Sequence, residues 1–199
     1  MRYSTALAFT AALVTGTAAA VPGVGEPAPA FRAVDSAGKT VQLADFNNRF
    51  VVLEWTNDGC PFVQKHYKSG NMQALQKSAI DAGAVWLSVI SSAPGKQGHV
   101  SGAQADALSA QRGAHPSHVL LDESGDVGRL SGAKTTPHMF IVDAKGTLVY
   151  AGGIDSIAST DTDDIPKAKP YVKTALAEAM AGKPVSEAAT APYGCSVKY

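Results

Sequence analysis

Cysteine is scarce in this chain of 199 residues, which has only Cys60 and Cys195. The two lie far apart in sequence, so the local dithiol of a CxxC motif is excluded. An excess of charge of one sign is also absent, because 17 basic residues balance 17 acidic ones. The balance gives no electrostatic basis for binding a nucleic acid or an anionic membrane surface.

Long apolar runs are absent beyond the first twenty residues. Within those twenty, Arg2 precedes the Ala-rich run ALAFTAALVTGTAAA, which ends in small residues. This pattern is typical of an export signal cleaved near Ala20, and the run is too short and too rich in Ala and Thr for a membrane anchor. We therefore predict an exported chain, periplasmic or secreted, without stable insertion into a membrane.

Three apolar runs rich in β-branched residues predict strands that are buried on both faces. They are FVVLEW (50–55), AVWLSVISS (84–92) and HVLLD (118–122). A hairpin is predicted over 138–154, with its turn at Lys145 and Gly146.

Helical patterns separate and follow these strands. They cover 61–82, interrupted near 69–71, then 103–113 and 165–183. This order predicts one α/β domain over residues 21–182, with a mixed central sheet flanked by helices. Residues 183–199 show no periodicity and form a C-terminal tail that carries Cys195.

Cys60 lies in the segment WTNDGCPFVQKHY, between a predicted strand and Pro61. Proline suits the first turn of a helix, and a helix N-terminus carries unpaired N–H groups and partial positive charge that favour a thiolate. Lys65, His66 and Lys68 are expected to add positive charge on solvated side chains. The alternative is an inert, buried cysteine. Its position favours a reactive or disulfide-competent Cys60.

Four segments together resemble the alkyl hydroperoxide reductase/thiol-specific antioxidant family, the redoxin or peroxiredoxin-like proteins with a thioredoxin fold. They are PAPAFRAVDSAGKTVQLADF, FVVLEW, CPF and TTPHMFIVDAKGTLVY, within residues 24–182. The resemblance implies a thioredoxin-like fold and a thiol-dependent oxidoreductase or antioxidant. Its Cys60 would attack a peroxide or a protein disulfide, and a partner thiol protein would reduce it. No cofactor is implied.

The resemblance also implies roles for individual residues. Thr136 and Pro137 resemble the cis-proline element of thioredoxins, which packs beside the reactive cysteine and offers backbone groups to a bound partner. Glu54 stands where thioredoxins carry a buried acidic residue, so it is a candidate for proton transfer; the alternative is a carboxylate satisfied by structural partners. Asn57 and Pro137 stand where peroxiredoxins carry a hydroxyl residue and an arginine.

Cys195, in PYGCSVKY, has several possible roles. As a resolving thiol on a mobile segment, it would attack the sulfenic acid or mixed disulfide formed at Cys60. As a permanent disulfide partner, it would stabilise the fold by about 4–5 kcal/mol in the chain-entropy model. Separate free thiols or intermolecular pairing are the other outcomes. We predict redox exchange with Cys60.

Copper binding is the alternative function. Cys60 with His66 or His138 would offer soft ligands to copper. Copper carriers of this fold present two neighbouring cysteines and a distant histidine, and this chain lacks the cysteine pair. We therefore predict no metal site, and a redox-silent domain with a structural Cys60–Cys195 disulfide is the remaining alternative.

Overall fold

Nine strands and five α-helices are distributed along residues 21–199, the part of the chain described by the computed structural model. The predicted export signal, residues 1–20, lies outside the described residues. The strands are β1 (Arg32–Asp35), β2 (Thr40–Gln42), β3 (Val51–Trp55), β4 (Val85–Ile90), β5 (His118–Leu121), β6 (Thr135–Thr136), β7 (His138–Val142), β8 (Leu148–Gly152) and β9 (Cys195–Ser196). The α-helices are α1 (Pro61–Lys68), α2 (Asn71–Asp81), α3 (Gly102–Gln111), α4 (Asp126–Ser131) and α5 (Tyr171–Met180).

Seven strands form one mixed sheet in the order β2-β1-β5-β4-β3-β7-β8. Strands β3, β4 and β5 are parallel, whereas β1 and β7 run antiparallel to their neighbours β5 and β3. Strand β3 lies inside the sheet, and all five of its residues are buried. Burial on both faces of the sheet explains the near-continuous apolar run that predicted this strand. The predicted mixed sheet is confirmed.

The two faces of the sheet carry separate apolar cores. Val52 packs in the core that includes residues of α1, α2 and α5, whereas Val51 and Leu53 belong to the core on the other face. This alternation follows because successive side chains of a strand point to opposite faces. Glu54 therefore points to the same face as Val52, beneath α1 and α2.

The predicted helix over 61–82 is interrupted where expected, at Ser69 and Gly70. Gly70 adopts a left-handed φ of 76°, which glycine tolerates at no steric cost. The predicted helix over 165–183 was wrong in its first turn. A 3-10 turn covers Thr162–Lys167, and α5 begins only after Pro170.

The elements of the body that were not predicted include strand β1 and helix α4. Strand β1 follows a segment rich in proline and glycine, and its pairing with β5 depends on residues far away in sequence. Helix α4 has six residues and no apolar periodicity. Its N-terminus is held by Asp122, whose carboxylate accepts hydrogen bonds from the N–H groups of Val127 and Gly128.

The C-terminal tail, residues 183–199, is docked along the body. Its contacts include Thr190 N–H to Ala151 O at 3.2 Å, in β8, and Val197 N–H to Lys134 O at 3.1 Å, beside β6. Strand β9 pairs antiparallel with β6. Strand β9 had no signature in the sequence, because a two-residue strand shows no periodicity and forms only through its partner. None of the helices in residues 21–199 is long and apolar enough to cross a membrane.

Candidate redox site

Cys60 lies at the junction of β3 and α1, where it is the N-cap residue of the helix. A tight turn brings it there: the Asn57 carboxamide oxygen accepts from Gly59 N–H at 3.0 Å, and Cys60 N–H donates to Asn57 O at 3.0 Å. The Asn57 amide also donates to Gln97 O at 3.1 Å. Asn57 therefore shapes the loop that carries the thiol.

The Thr136–Pro137 peptide bond is cis, as predicted. The Thr136 carbonyl oxygen lies 3.0 Å from Cys60 Sγ. Cys60 is completely buried in this position, with 0% of its surface exposed. The two segments that the sequence analysis singled out, CPF at Cys60 and TTP at Thr136, are thus in direct contact.

Cys195 lies directly beside Cys60, although 135 positions separate them. The two Sγ atoms are 2.8 Å apart and both thiols are free. Cys195 is the antiparallel partner of Thr136 in the β6–β9 pair. The dithiol that is missing from the local sequence is therefore assembled across space.

Gly194 makes this approach possible. Its φ is 140°, and a Cβ at this position would overlap the carbonyl oxygen of Thr136. Any side chain would therefore push the tail strand away from the backbone beside Cys60.

The two thiols have opposite shifts in pKa. Burial alone would raise the pKa of Cys60, but hydrogen bonds from Cys195 and from the Val63 N–H outweigh it and leave the pKa below the usual 9.0. Burial, the hydrogen bond to Cys60 and the charge of that thiolate raise the pKa of Cys195 to about 11. The opposite shifts favour loss of the proton from Cys60 before Cys195, and a Cys60 thiolate would accept a hydrogen bond from the Cys195 thiol.

Positive charge on α1 is not the cause of this difference. Lys65 and His66 were expected to be solvated, but they are 1% and 0% exposed, so that expectation was wrong. Burial lowers the pKa of His66 to about 4, which makes it neutral at physiological pH. Lys65 donates to Ile157 O at 3.0 Å and lies 3.5 Å from Asp155 Oδ2. The helix N-terminus and Cys195 remain as the groups that stabilise the thiolate.

Glu54 is fully buried beneath α1 and α2. Its carboxylate accepts four hydrogen bonds, from Tyr67 Oη at 2.7 Å, Trp86 Nε1 at 2.9 Å, Ser88 Oγ at 2.9 Å and Gln76 Nε2 at 3.2 Å. No hydrogen bond between described residues joins Glu54 to Cys60. The four donors agree with the alternative, a carboxylate satisfied by structural partners. A role of Glu54 in proton transfer stays a prediction.

The two histidines considered for copper have other partners. His138 Nδ1 accepts from Lys134 N–H at 3.2 Å. His66 Nδ1 accepts from the Asn71 amide at 2.9 Å, and its Nε2 lies 3.1 Å from Tyr193 Oη. Within residues 21–199, no group of three or more His, Cys, Asp or Glu side chains is arranged to hold a metal ion.

Two residues that the sequence analysis did not identify join the tail to the body beside α1. Tyr193 precedes Cys195 by two positions, and its hydroxyl donates to Asp155 Oδ1 at 2.5 Å. Tyr193 could have been identified from the sequence, because it lies only two residues from Cys195. Asp155 gave no such signal, since it meets Tyr193 only through the docking of the tail.

Comparison with known proteins agrees with this architecture. A model of the AhpC/TSA family matches residues 24–151, which include Cys60 and the TTP turn. A search of curated proteins gave no match.

Three solved structures show the fold. An uncharacterized conserved protein from Geobacillus kaustophilus is 25% identical with a TM-score of 0.78, over 90% of this chain and 93% of that chain. A putative thiol:disulfide interchange protein DsbE from Chlorobium tepidum is 25% identical with a TM-score of 0.52, over 65% and 84%. The thioredoxin domain of a thiol-disulfide oxidoreductase from Bacteroides vulgatus is 18% identical with a TM-score of 0.53, over 73% and 97%. The predicted thioredoxin-like fold is confirmed.

Proposed function

This chain belongs to the AhpC/TSA family, and on that basis we propose that it is an exported thiol–disulfide oxidoreductase. Cys60 is the nucleophile and Cys195 is the resolving thiol. The observation that carries the proposal is the pair of free thiols 2.8 Å apart, with a pKa lowered at Cys60 and raised to about 11 at Cys195. A thiolate, rather than a thiol, attacks a disulfide, so the two sulfurs are suited to different steps.

The reaction proceeds in two exchanges. The Cys60 thiolate attacks one sulfur of the substrate disulfide, forming a mixed disulfide and releasing the other substrate sulfur as a thiolate. That thiolate takes up the Cys195 proton while Cys195 attacks Cys60 Sγ, which forms the Cys60–Cys195 disulfide and releases the second substrate sulfur as a thiolate that solvent protonates. The substrate gains two electrons, and a partner dithiol protein returns them to the Cys60–Cys195 pair.

Thr136 and Pro137 form the docking wall for the substrate. In the reduced protein the tail already occupies the backbone edge of β6, and Cys60 has no exposed surface. A protein disulfide therefore reaches Cys60 when β9 leaves this edge, and its own extended backbone then replaces the tail strand.

A peroxide is the second candidate for the oxidant, because the family match and the lowered pKa of Cys60 favour it. Here Cys60 would become a sulfenic acid, which Cys195 would condense to the same disulfide with release of water. In residues 21–199, the hydrogen-bonding neighbours of Cys60 Sγ are Thr136, Cys195 and Val63, and none supplies a guanidinium to the breaking O–O bond. A disulfide is therefore the favoured substrate.

Stopped-flow oxidation of the reduced protein tests the proposal, with hydrogen peroxide and a protein disulfide compared side by side. We expect faster oxidation by the disulfide, with the Cys60–Cys195 bond as product in both reactions. The Cys195→Ser variant is the control and should stop at the mixed disulfide. If neither oxidant forms the Cys60–Cys195 bond, the proposed activity is wrong.

Export is proposed from the signal-like sequence of residues 1–20. N-terminal sequencing of the protein recovered from the periplasm or medium should give a chain that begins just after Ala20. Recovery of the uncleaved chain in the cytoplasm would contradict export.

Cu(I) binding is a second candidate function, because the fold brings together the thiol pair that the local sequence lacks. Stoichiometric Cu(I) retention that is lost on Cys60→Ser would favour this function. A redox-silent domain is the third outcome, and it would show a Cys60–Cys195 bond that resists strong thiol reductants.

A further inference from the structure

The tail segment just before Cys195 has few attachments to the body. In the described chain, no backbone–backbone hydrogen bond involves residues 191–193, whereas Thr190 and Val197 on either side do form them. Ala191 and Pro192 carry no polar side chain. The hydroxyl of Tyr193 is therefore the polar group that fastens this part of the tail.

The hydroxyl is placed by a chain of hydrogen bonds whose direction is fixed. The Asn71 amide donates to His66 Nδ1 at 2.9 Å, so neutral His66 carries its proton on Nε2. That proton points to Tyr193 Oη at 3.1 Å. Tyr193 in turn donates to Asp155 Oδ1 at 2.5 Å. The tyrosine oxygen thus accepts one hydrogen bond and donates another.

A buried ion pair supports the carboxylate end of this chain. Asp155 is 4% exposed, and its Oδ2 lies 3.5 Å from Lys65 Nζ. The Tyr193 ring also contacts α1, edge-to-face with Phe62 at a centroid distance of 5.9 Å and 5.7 Å from Lys65 Nζ. Buried charges are costly unless they are paired and hydrogen-bonded. Tyr193 supplies a side-chain donor to this carboxylate, which also accepts from Ile157 N–H at 3.0 Å.

This cluster connects the two cysteines mechanically. Phe62, Lys65 and His66 lie on α1, the helix whose N-cap is Cys60, and Tyr193 lies two residues before Cys195. We propose that Tyr193 and Asp155 are positioning residues that hold Cys195 against Cys60 by tying the tail to α1. The proposal rests on the proposed function, because it assigns to these residues the geometry of the exchange between Cys60 and Cys195.

Two consequences follow from loss of the Tyr193 hydroxyl. The tail spends less time docked, so the local concentration of Cys195 at Cys60 falls and the intramolecular disulfide becomes harder to form. The hydrogen bond from Cys195 to Cys60 is also formed for less of the time, so the pKa of Cys60 rises. A residue that contributed only to overall stability would change neither quantity in the folded protein.

The test compares Tyr193→Phe with Tyr199→Phe in the full mature chain. Both variants remove one hydroxyl from the tail, and Tyr199 donates to Ala133 O at 2.9 Å on the other side of Cys195. The first measurement is the equilibrium constant for the Cys60–Cys195 disulfide against reduced and oxidised glutathione. The second is the Cys60 pKa, from the ultraviolet absorbance of the thiolate.

We expect Tyr193→Phe to lower the equilibrium constant for the Cys60–Cys195 disulfide about tenfold, as for a lost hydrogen bond to a charged group. The same variant should raise the pKa of Cys60. Tyr199→Phe should stay within about twofold of wild type. Asp155→Asn serves as a second variant, which changes the same contact from the other side and should shift both quantities in the same direction.

The outcomes separate the two proposals. If wild type forms no reversible disulfide, the proposed function fails. If wild type forms it and both Tyr193→Phe and Asp155→Asn match Tyr199→Phe, the function stands and the positioning role is overturned.

Discussion

The two cysteines reach the same site by opposite routes. Cys60 is placed by local structure, since a buried strand, an asparagine turn and a helix start follow one another over a few residues. Cys195 is placed by long-range contacts, the pairing of β9 with β6 and the anchoring of Tyr193. Cys60, the proposed nucleophile, is thus part of the body, whereas Cys195 is held by a two-residue strand of the C-terminal tail.

The strongest way to test this comparison is to remove each sulfur in turn. Cys60→Ser should lower the rate of disulfide exchange by roughly 10³-fold or more, because it removes the nucleophile. Cys195→Ser should still react once and then accumulate the mixed disulfide at Cys60. Turnover assays with mass spectrometry of the adducts would measure both. Equal, complete loss of the first reaction in the two variants would contradict the division of roles.

A second test uses the pH dependence of stability, which should come from the body rather than from the tail. Burial lowers the pKa of His66 and of His138 from 6.5 to about 4. Between pH 6.5 and pH 4 the unfolded chain binds protons more readily than the folded protein. The free energy of unfolding is therefore highest above pH 6.5 and falls as the pH decreases toward 4. Each histidine should account for about 3 kcal/mol of this loss.

Urea unfolding between pH 7 and pH 4 would measure this loss. His66→Gln should flatten the slope by about half, and His115→Gln, at an exposed position, is the matched control. An unchanged slope in His66→Gln would mean that this histidine titrates normally in the folded protein.

The third test concerns Glu54, which lies in the body beneath the thiol. Glu54→Gln replaces a charged acceptor of four hydrogen bonds with a group that must also donate, so we expect a loss of about 2 kcal/mol in the free energy of unfolding. Glu187→Gln, at an exposed site, is the control.

The same Glu54 variant separates structural from chemical roles. If Glu54 moves protons, the rate of exchange by folded Glu54→Gln should decrease with a changed pH profile. An unchanged rate and profile would leave the carboxylate with a structural role alone.

The smallest expected effect comes from loosening the tail without touching either sulfur. Gly194→Ala places a Cβ against Thr136 O, so β9 should detach more often and alkylation of Cys60 should become about tenfold faster. Gly182→Ala is the matched control, since Gly182 also has positive φ but a Cβ there would meet no atom within 4 Å. Peptide mapping of the alkylated protein gives the rate at Cys60, and equal rates in the two variants would show that β9 does not cover the thiol.

The same contrast explains what could be predicted from the sequence. The buried strand, the start of α1 and the cis Thr136–Pro137 bond follow from local pattern and from the family resemblance. The pairing of Cys195 with Thr136 could not be predicted, because a two-residue strand has no signature. The burial of Lys65 and His66 was missed for a related reason: their partners, Asp155 and Tyr193, come from segments that meet α1 only in the folded chain.

The central claim is that Cys60 and Cys195 form a reversible redox pair, and titration of the mature protein in glutathione buffers tests it most directly. We expect a two-electron transition in which mass spectrometry of the quenched samples finds the Cys60–Cys195 disulfide, fully reopened by excess thiol. Two cysteines that remain separately modified by glutathione at every ratio, or a bond that excess thiol cannot open, would contradict it.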